Sequence, residues 1–163
     1  MGGTRPGNPG FMAICPFTWL NILIMEQIVF SREQIWQMTS HLSDCLPAEG
    51  CGLVGGDVTY HAHLVIPIAN LLSSPSHFRM DEREQLAAFL TLEEKGLDLI
   101  AIYHSHPSGL PGPSTTDIIE FFYPESLMIV FSLVSQAWIS KAYRINITDH
   151  SFDEIPIIID ENA

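Results

Sequence analysis

Hydrophobic and polar residues follow patterns that predict alternating strands and helices from residue 26 onward. Residues 26–30 are mainly apolar and predict a short first strand. Ser31 and Gln34 have the spacing of a capping box, in which two side chains satisfy free N–H groups at the start of a helix. Apolar residues then recur at helical spacing until Pro47 ends the predicted helix: Ile35, Met38, Leu42 and Cys45.

The middle of the chain predicts three more strands. Residues 50–55 and 58–66 have strand composition, and a turn is expected between them at Gly56-Asp57. Residues 97–103 form a nearly continuous apolar run, which is typical of a strand buried on both faces. That strand would place His104 at its end.

Two further helices are predicted. An amphipathic helix is expected to begin near Asp81 and to end at Gly96. Its apolar face carries Leu86, Phe89 and Leu90. A short helix is expected over residues 114–122, after a loop rich in Gly, Pro and Ser.

The last third of the chain predicts strands over residues 127–134, 137–147 and 154–159. The last of these is expected at an edge of the sheet, because Pro156 cannot donate a hydrogen bond to a neighbouring strand. The fold class is therefore α/β, a sandwich in which helices pack against a mixed, curved sheet.

Residues 1–24 differ from the rest of the chain. They open with a Gly/Pro-rich stretch and lead into an apolar run over residues 11–25 that Pro16 interrupts. That run is too short and too broken for a membrane span, which needs about 20 apolar residues, and no signal-peptide cleavage site follows it. We interpret it as an extension upstream of a natural start at Met25; a segment that contacts a partner or a membrane is the alternative. Residues 25–163 are then expected to form one domain.

The composition of the chain limits the classes of binding partner that are expected. A net charge of −12 with only seven Lys and Arg residues disfavours binding to a nucleic-acid backbone. The acidic surface suits solubility or a basic partner. Three cysteines without a C-x-x-C pair imply no disulfide framework, so a reducing cytoplasm is expected. Membrane binding is not predicted, and the oligomeric state, a homodimer included, stays open.

His104-Ser105-His106 is the first candidate for chemistry. Side chains alternate along a strand, so both histidines face the same side and can bind one ion. Asp117, brought back by the loop, would be a third ligand and leave one tetrahedral position open, as in catalytic zinc sites. The alternatives are histidines at the end of a strand that only form hydrogen bonds, and a capping box in which Ser114 and Asp117 only start a helix.

Two other features bear on that site. His61-Ala62-His63 repeats the two-histidine spacing but has no Ser-x-x-Asp element after it, so it serves as an internal control without a predicted metal. Glu49 is the best candidate for a general base beside the metal, because it lies in a small-residue turn before an apolar strand. Such a carboxylate is either exposed in a loop or desolvated, and the composition alone leaves both open.

Together, Glu49, His104-Ser105-His106-Pro107 and Ser114-Thr115-Thr116-Asp117 resemble the signature of the JAMM (MPN+) metalloproteases, including the ten residues between His106 and Asp117. The resemblance implies a cytidine-deaminase-like α-β-α sandwich. It also implies that His104, His106 and Asp117 bind one zinc ion per chain. Glu49 would be the general acid/base, and Ser114 would stabilise the oxyanion.

The compact length and the Glu49-Gly50-Cys51-Gly52 turn resemble the small prokaryotic branch of that family. This resemblance implies hydrolysis of a peptide or isopeptide bond at the C-terminal Gly-Gly of a ubiquitin-like or sulfur-carrier protein. The alternatives are a non-catalytic MPN scaffold module and a hydrolase of small amide or amino-acid conjugates. Whether Cys51 contributes to the site stays open, and a small core residue is the simpler interpretation.

Overall fold

The computed structural model describes residues 27–161, so the predicted extension over residues 1–24 lies outside the described residues. The elements along the chain are β1 (Ile28–Ser31), α1 (Arg32–Cys45), β2 (Cys51–Gly56), β3 (Ala62–Ile68), α2 (Glu82–Lys95), β4 (Asp98–His106), α3 (Thr115–Ile119), β5 (Leu127–Val134), β6 (Ala137–Asn146), β7 (Ser151–Ile155) and β8 (Ile157–Asp160). The order of strands and helices agrees with the prediction, except that two strands, β7 and β8, replace the last predicted strand.

A six-stranded mixed sheet forms the centre of the fold, with the strand order β3-β2-β4-β5-β6-β7. β4 and β5 are parallel, and the other neighbouring pairs are antiparallel. β1 and β8 form a separate parallel pair. β4 is nearly all buried, as its continuous apolar run predicts. The predicted α/β class with a mixed sheet is confirmed.

Helix α1 begins at the predicted capping box. Ser31 Oγ accepts a hydrogen bond from the Gln34 N–H at 3.3 Å, and Gln34 Oε1 accepts one from the Ser31 N–H at 2.8 Å. Met38 and Leu42, two residues of the predicted apolar stripe, are fully buried in the core beside Phe30. Capping and the apolar stripe therefore agree in locating this helix.

Helix α2 begins after Asp81 and ends at Gly96, as predicted. Of its predicted apolar face, Phe89 packs partly buried against the core, but the prediction was wrong for the two leucines. Leu86 and Leu90 are 60% and 57% exposed, whereas Ala88 and Leu92 are buried. Leu92 explains this rotation, because its Cδ2 lies only 2.2 Å from the position that a Cβ on Gly55 would occupy. The bare backbone of β2 thus accepts Leu92 and turns the opposite side of the helix to solvent.

The C-terminal strands also depart from the prediction. Residues 154–159 were expected to form one strand, but Pro156 separates β7 from β8. β7 pairs with β6 at an edge of the large sheet, as expected of the segment, and β8 pairs with β1. The Pro156 carbonyl accepts a hydrogen bond from the Ile28 N–H at 2.9 Å. Proline has no N–H to donate, and Pro156 lies where the chain leaves the six-stranded sheet and enters the two-stranded sheet.

Several element boundaries differ from the sequence prediction. β3 begins at Ala62 rather than at residue 58, because the turn continues through Tyr60, whose φ is +60°. β4 extends through His106, and α3 covers only five residues. Within residues 27–161, no helix is long and apolar enough to cross a membrane.

Candidate metal centre

The two histidines of the motif are the last residues of β4 on one face of the strand. His104 and His106 are both buried, and their Nε2 atoms lie 3.1 Å apart. Ser105 between them has a different contact: its hydroxyl accepts a hydrogen bond from the Gly50 N–H at 2.9 Å. The Ser105 N–H donates to the Gly50 carbonyl at 3.0 Å. Strand alternation therefore directs two imidazoles to the site and one hydroxyl to the segment just before β2.

Asp117 reaches the histidines from the first turn of α3. Its Oδ2 lies 3.4 Å from His104 Nε2 and 3.3 Å from His106 Nε2. The same oxygen accepts a hydrogen bond from the Ser114 N–H at 2.6 Å, while Ser114 Oγ accepts one from the Asp117 N–H at 3.2 Å. The capping box and the three-residue cluster are both present. The cap holds the carboxylate in place.

The three donor atoms have the spacing that a tetrahedral ion requires. Zinc binds histidine nitrogen and carboxylate oxygen at about 2.0–2.2 Å, so neighbouring ligands of a tetrahedral site lie roughly 3.3 Å apart. The observed separations are 3.1, 3.3 and 3.4 Å. Within the described part of the chain, His104, His106 and Asp117 form the single group of at least three potential ligands close enough to hold a metal. The arrangement therefore fits a zinc ion.

Contacts around the two histidines affect how each imidazole can bind a metal ion. His106 Nδ1 lies 3.0 Å from the Leu110 carbonyl, which can only accept, so this nitrogen carries the proton and leaves the lone pair on Nε2. The His104 ring stacks on Phe78, with 4.8 Å between the ring centroids. Burial lowers the pKa of His104 and so favours the neutral ring, although Asp117 opposes that shift.

The pKa values of Asp117 and His106 are shifted by burial and by their mutual contacts. Burial alone would raise the pKa of Asp117, but hydrogen bonds with His104 and His106 outweigh it and hold that pKa well below its ordinary value. Burial alone would lower the pKa of His106, but its contacts with Asp117 and the Leu110 carbonyl raise it. The cluster therefore presents an ionised carboxylate beside two imidazoles.

Glu49 lies just before β2 and closes the site from the other side. It is only 2% exposed, and its Oε1 lies 4.0 Å from His106 Nε2. Burial raises its pKa to about 7, while His106 opposes the shift. Of the two options left open by the composition, the structure shows the desolvated carboxylate. A carboxyl group with a pKa near neutrality can both accept and release a proton.

The other candidates take no part in this cluster. His63 Nε2 lies 2.9 Å from Asp57 Oδ2 in a half-exposed pair, and His61 Nδ1 lies 4.0 Å from the same carboxylate, so the control motif belongs to a surface turn. Cys51 is fully buried, and burial raises the pKa of its thiol to about 12. Cys51 is therefore an inert core residue.

Sequence reasoning did not identify three residues that contact the site: Phe78, Leu110 and Asn70, whose Nδ2 donates a hydrogen bond to the Glu49 carbonyl. Leu110 acts through its carbonyl, which every residue has, so no side-chain pattern could indicate it. Phe78 and Asn70 lie in an irregular loop without periodicity. Their contacts depend on how that loop folds back over the sheet.

A cavity of about 530 Å³ opens beside His104 and Asp117. Its apolar lining includes Ile102 and Met128 from the sheet together with Phe78, Met80 and Phe121. A larger cavity, of about 800 Å³, lies toward the start of β4 and does not include the metal-binding residues. The smaller cavity is therefore the one that adjoins the metal centre.

Comparison with known proteins gives a consistent result. Residues 31–146 match a family model described as prokaryotic homologs of the JAB domain. A probable TtuB-protein conjugate cleaving protease of Thermus thermophilus is 43% identical over 55% of this chain. The match spans only 60% of that relative's length. A desampylase of Haloferax volcanii is 29% identical over 60% of this chain and 75% of its own.

Two further similarities complete the comparison. A CysO-cysteine peptidase of Mycobacterium tuberculosis is 28% identical over 64% of this chain and 73% of its own. The solution structure of a protein from Desulfitobacterium hafniense superposes with a TM-score of 0.73 and 35% identity, covering 82% of this chain and 93% of that one. The similarity therefore covers most of the fold as well as the motif.

Proposed function

This chain belongs to the family of prokaryotic homologues of the JAB domain, and we propose that it is a zinc-dependent hydrolase. The bond that it cuts is a peptide or isopeptide bond at the C-terminal Gly-Gly of a ubiquitin-like or sulfur-carrier protein. The observation that carries the proposal is the convergence of His104, His106 and Asp117 with a desolvated Glu49 beside them. The family resemblance implied the same set of residues.

His104, His106 and Asp117 would hold one zinc ion per chain through Nε2, Nε2 and Oδ2. When bound, the zinc polarises the scissile carbonyl and makes a water molecule acidic. Glu49 accepts the proton of the attacking water and passes it to the nitrogen of the leaving amine. Its position 4.0 Å from His106 Nε2 and its pKa of about 7 support that role.

Ser114 is proposed to donate a hydrogen bond to the oxyanion. In the capping box, Ser114 Oγ accepts the N–H of Asp117 and therefore uses only a lone pair. The hydroxyl hydrogen stays available to a substrate oxygen. Such a donor is effective because it is already in place when negative charge develops.

The amine half of the substrate is proposed to occupy the cavity of about 530 Å³ beside His104 and Asp117. Its apolar walls suit the methylene groups of a side chain. The carrier half would then approach from the side of Glu49 and Ser114. The names of the relatives, which cleave TtuB-protein conjugates and CysO-cysteine, support a carrier joined to an amine as the substrate.

We further propose a cytoplasmic location, which is supported by the free thiols of Cys45 and Cys51. The residues proposed to bind zinc all lie in one chain.

The test is incubation of the zinc-loaded chain with ubiquitin-fold carriers that are extended past Gly-Gly in three ways: by a lysine isopeptide, by a linear peptide and by a single cysteine. Intact mass spectrometry should show release of the extension with at least one of them. The Glu49→Gln variant is the matched control, because it keeps the shape of the side chain and removes its basicity. If no substrate is trimmed, the scaffold or the small-amide hydrolase is the better interpretation.

A further inference from the structure

The Glu49 carboxylate has few contacts of its own that could orient it. Its Oε2 has no hydrogen-bond partner among residues 27–161, and its Oε1 is 4.0 Å from the nearest imidazole nitrogen of His106. Because the side chain is buried without such a partner, its location depends on the main chain that carries it. The groups that hold the main chain of Glu49 therefore help to determine where its carboxylate lies.

One loop, formed by residues 70–80, holds that main chain on both sides. The Glu49 N–H donates to the Ser74 carbonyl at 2.8 Å. The Glu49 carbonyl accepts a hydrogen bond from Asn70 Nδ2 at 2.9 Å. Both polar groups of the Glu49 backbone are thus bound to this loop, although 21 residues separate Asn70 from Glu49.

Asn70 also holds the loop itself together. Its Nδ2 donates a second hydrogen bond to the His77 carbonyl at 3.1 Å. Its Oδ1 accepts the N–H groups of Leu72 and Arg79, each at 3.0 Å. All four hydrogen-bonding positions of this amide are occupied. One side chain therefore joins three points of the loop to the backbone of Glu49.

The same loop reaches the metal centre. Phe78 lies in it and stacks on the His104 ring. Several loop residues also line the cavity beside the metal ligands. The loop thus contacts the base, one metal ligand and the space that we assign to the leaving amine.

We propose that Asn70 is a positioning residue for the hydrolysis, which acts by holding Glu49 beside the metal-binding residues. This inference rests on the proposed function, because that function gives Glu49 the role of the base. Asn70 touches neither the substrate nor the metal ligands. A displacement of about 1 Å at a base can cost about a hundredfold in rate, so loss of this anchor should reduce turnover more than binding.

The experiment uses two variants of the full, zinc-loaded chain. Asn70→Ala removes all four hydrogen bonds. Asn70→Asp keeps the oxygen that accepts from Leu72 and Arg79 but loses the donor to the Glu49 carbonyl, so it retains the loop turn if the alanine variant fails to fold. Asn146→Ala is the matched control, because Asn146 Oδ1 accepts the Thr148 N–H at 3.0 Å in an exposed turn at the end of β6.

The first measurement is hydrogen exchange of the Glu49 amide by NMR, which needs no substrate. We expect the exchange to become at least about tenfold faster in both Asn70 variants and to stay unchanged in Asn146→Ala. The zinc content should remain at one ion per chain in all three. Unchanged exchange at Glu49 in both Asn70 variants would overturn the proposal.

The second measurement is steady-state hydrolysis of a carrier that the wild-type chain trims. We expect kcat to fall about tenfold or more in the Asn70 variants, with KM within about threefold of the wild-type value. In the Glu49→Gln background, Asn70→Ala should cause no additional loss, because the residue acts through Glu49. A loss that persists there, or one that Asn146→Ala reproduces, would contradict the positioning role.

The two measurements separate the possible failures. If the wild-type chain trims no carrier, the proposed function fails, but the exchange measurement still decides whether Asn70 holds Glu49. If the wild-type chain is active and Glu49 exchange does not respond to either substitution at Asn70, only the positioning role fails.

Discussion

The serine between the two histidines should stabilise the fold and the active site at the same time. Ser105 is 0% exposed, and its hydroxyl accepts the Gly50 N–H at 2.9 Å. The Ser105→Ala substitution leaves that buried N–H without a partner, because the Ser105 hydroxyl is the acceptor that the N–H contacts in the described residues. An unpaired buried donor costs about 1–3 kcal/mol.

That cost translates into a measurable shift in Tm. For a domain of this size, 1 kcal/mol corresponds to about 3–5 °C, so Ser105→Ala should lower the Tm by about 3–15 °C. Gly50 adjoins Glu49, so the same variant should also lower kcat, by about tenfold if the base shifts by a fraction of an ångström. Calorimetry and steady-state kinetics on the zinc-loaded protein measure the two effects.

Ser126→Ala is the matched control for this prediction. Ser126 is also buried and donates to the Leu99 carbonyl at 2.8 Å, at the opposite end of β4 from His104. Its loss should lower the Tm by a comparable amount and leave kcat unchanged. An unchanged Tm in Ser105→Ala, or an equal loss of kcat in both variants, would refute the reasoning.

The metal and the base allow further predictions. His104→Ala should lose most of its zinc by elemental analysis, whereas His63→Ala should keep one ion per chain, because His63 pairs with Asp57 and does not belong to the group of metal-binding residues. Glu49→Gln should keep the zinc and lose at least about a hundredfold in kcat, and an active variant would exclude Glu49 as the base. In the metal-free protein, Glu49 binds its proton more tightly when folded, because burial raises its pKa from 4.5 to about 7. The wild-type free energy of unfolding should therefore fall relative to that of Glu49→Gln as pH rises from about 4.5 to 7, by up to about 3 kcal/mol in urea titrations, and parallel pH profiles would contradict this.

Local patterns predicted most of the fold because each depends on residues close in sequence. The capping box at Ser31, the helix end at Gly96 and the apolar run of β4 are all present. The rotation of α2 was not predictable in this way. Leu86 and Leu92 are both apolar, and the choice between them depends on Gly55, a residue of another element with no side chain to exclude Leu92.

The break at Pro156 is a second feature that local sequence patterns could not fully predict. Pro156 predicted that residues 154–159 form one strand at an edge of the sheet, whereas the structure has a break at that residue. The two halves have different neighbours, β6 and β1, and no property of residues 154–159 indicates which partner each half takes. Partner choice depends on the arrangement of whole strands.

The sequence by itself determined the chemistry that is available: two imidazoles at strand spacing, a carboxylate in the first turn of a helix, and a glutamate 55 residues before His104. Only the tertiary structure decided that the donor atoms lie 3.1–3.4 Å apart, that Glu49 is desolvated, and that Asn70 binds its backbone. The physical reason is that residue identity and periodicity are local properties. Proximity and dielectric environment arise only when β2, β4 and the loop of residues 70–80 pack together.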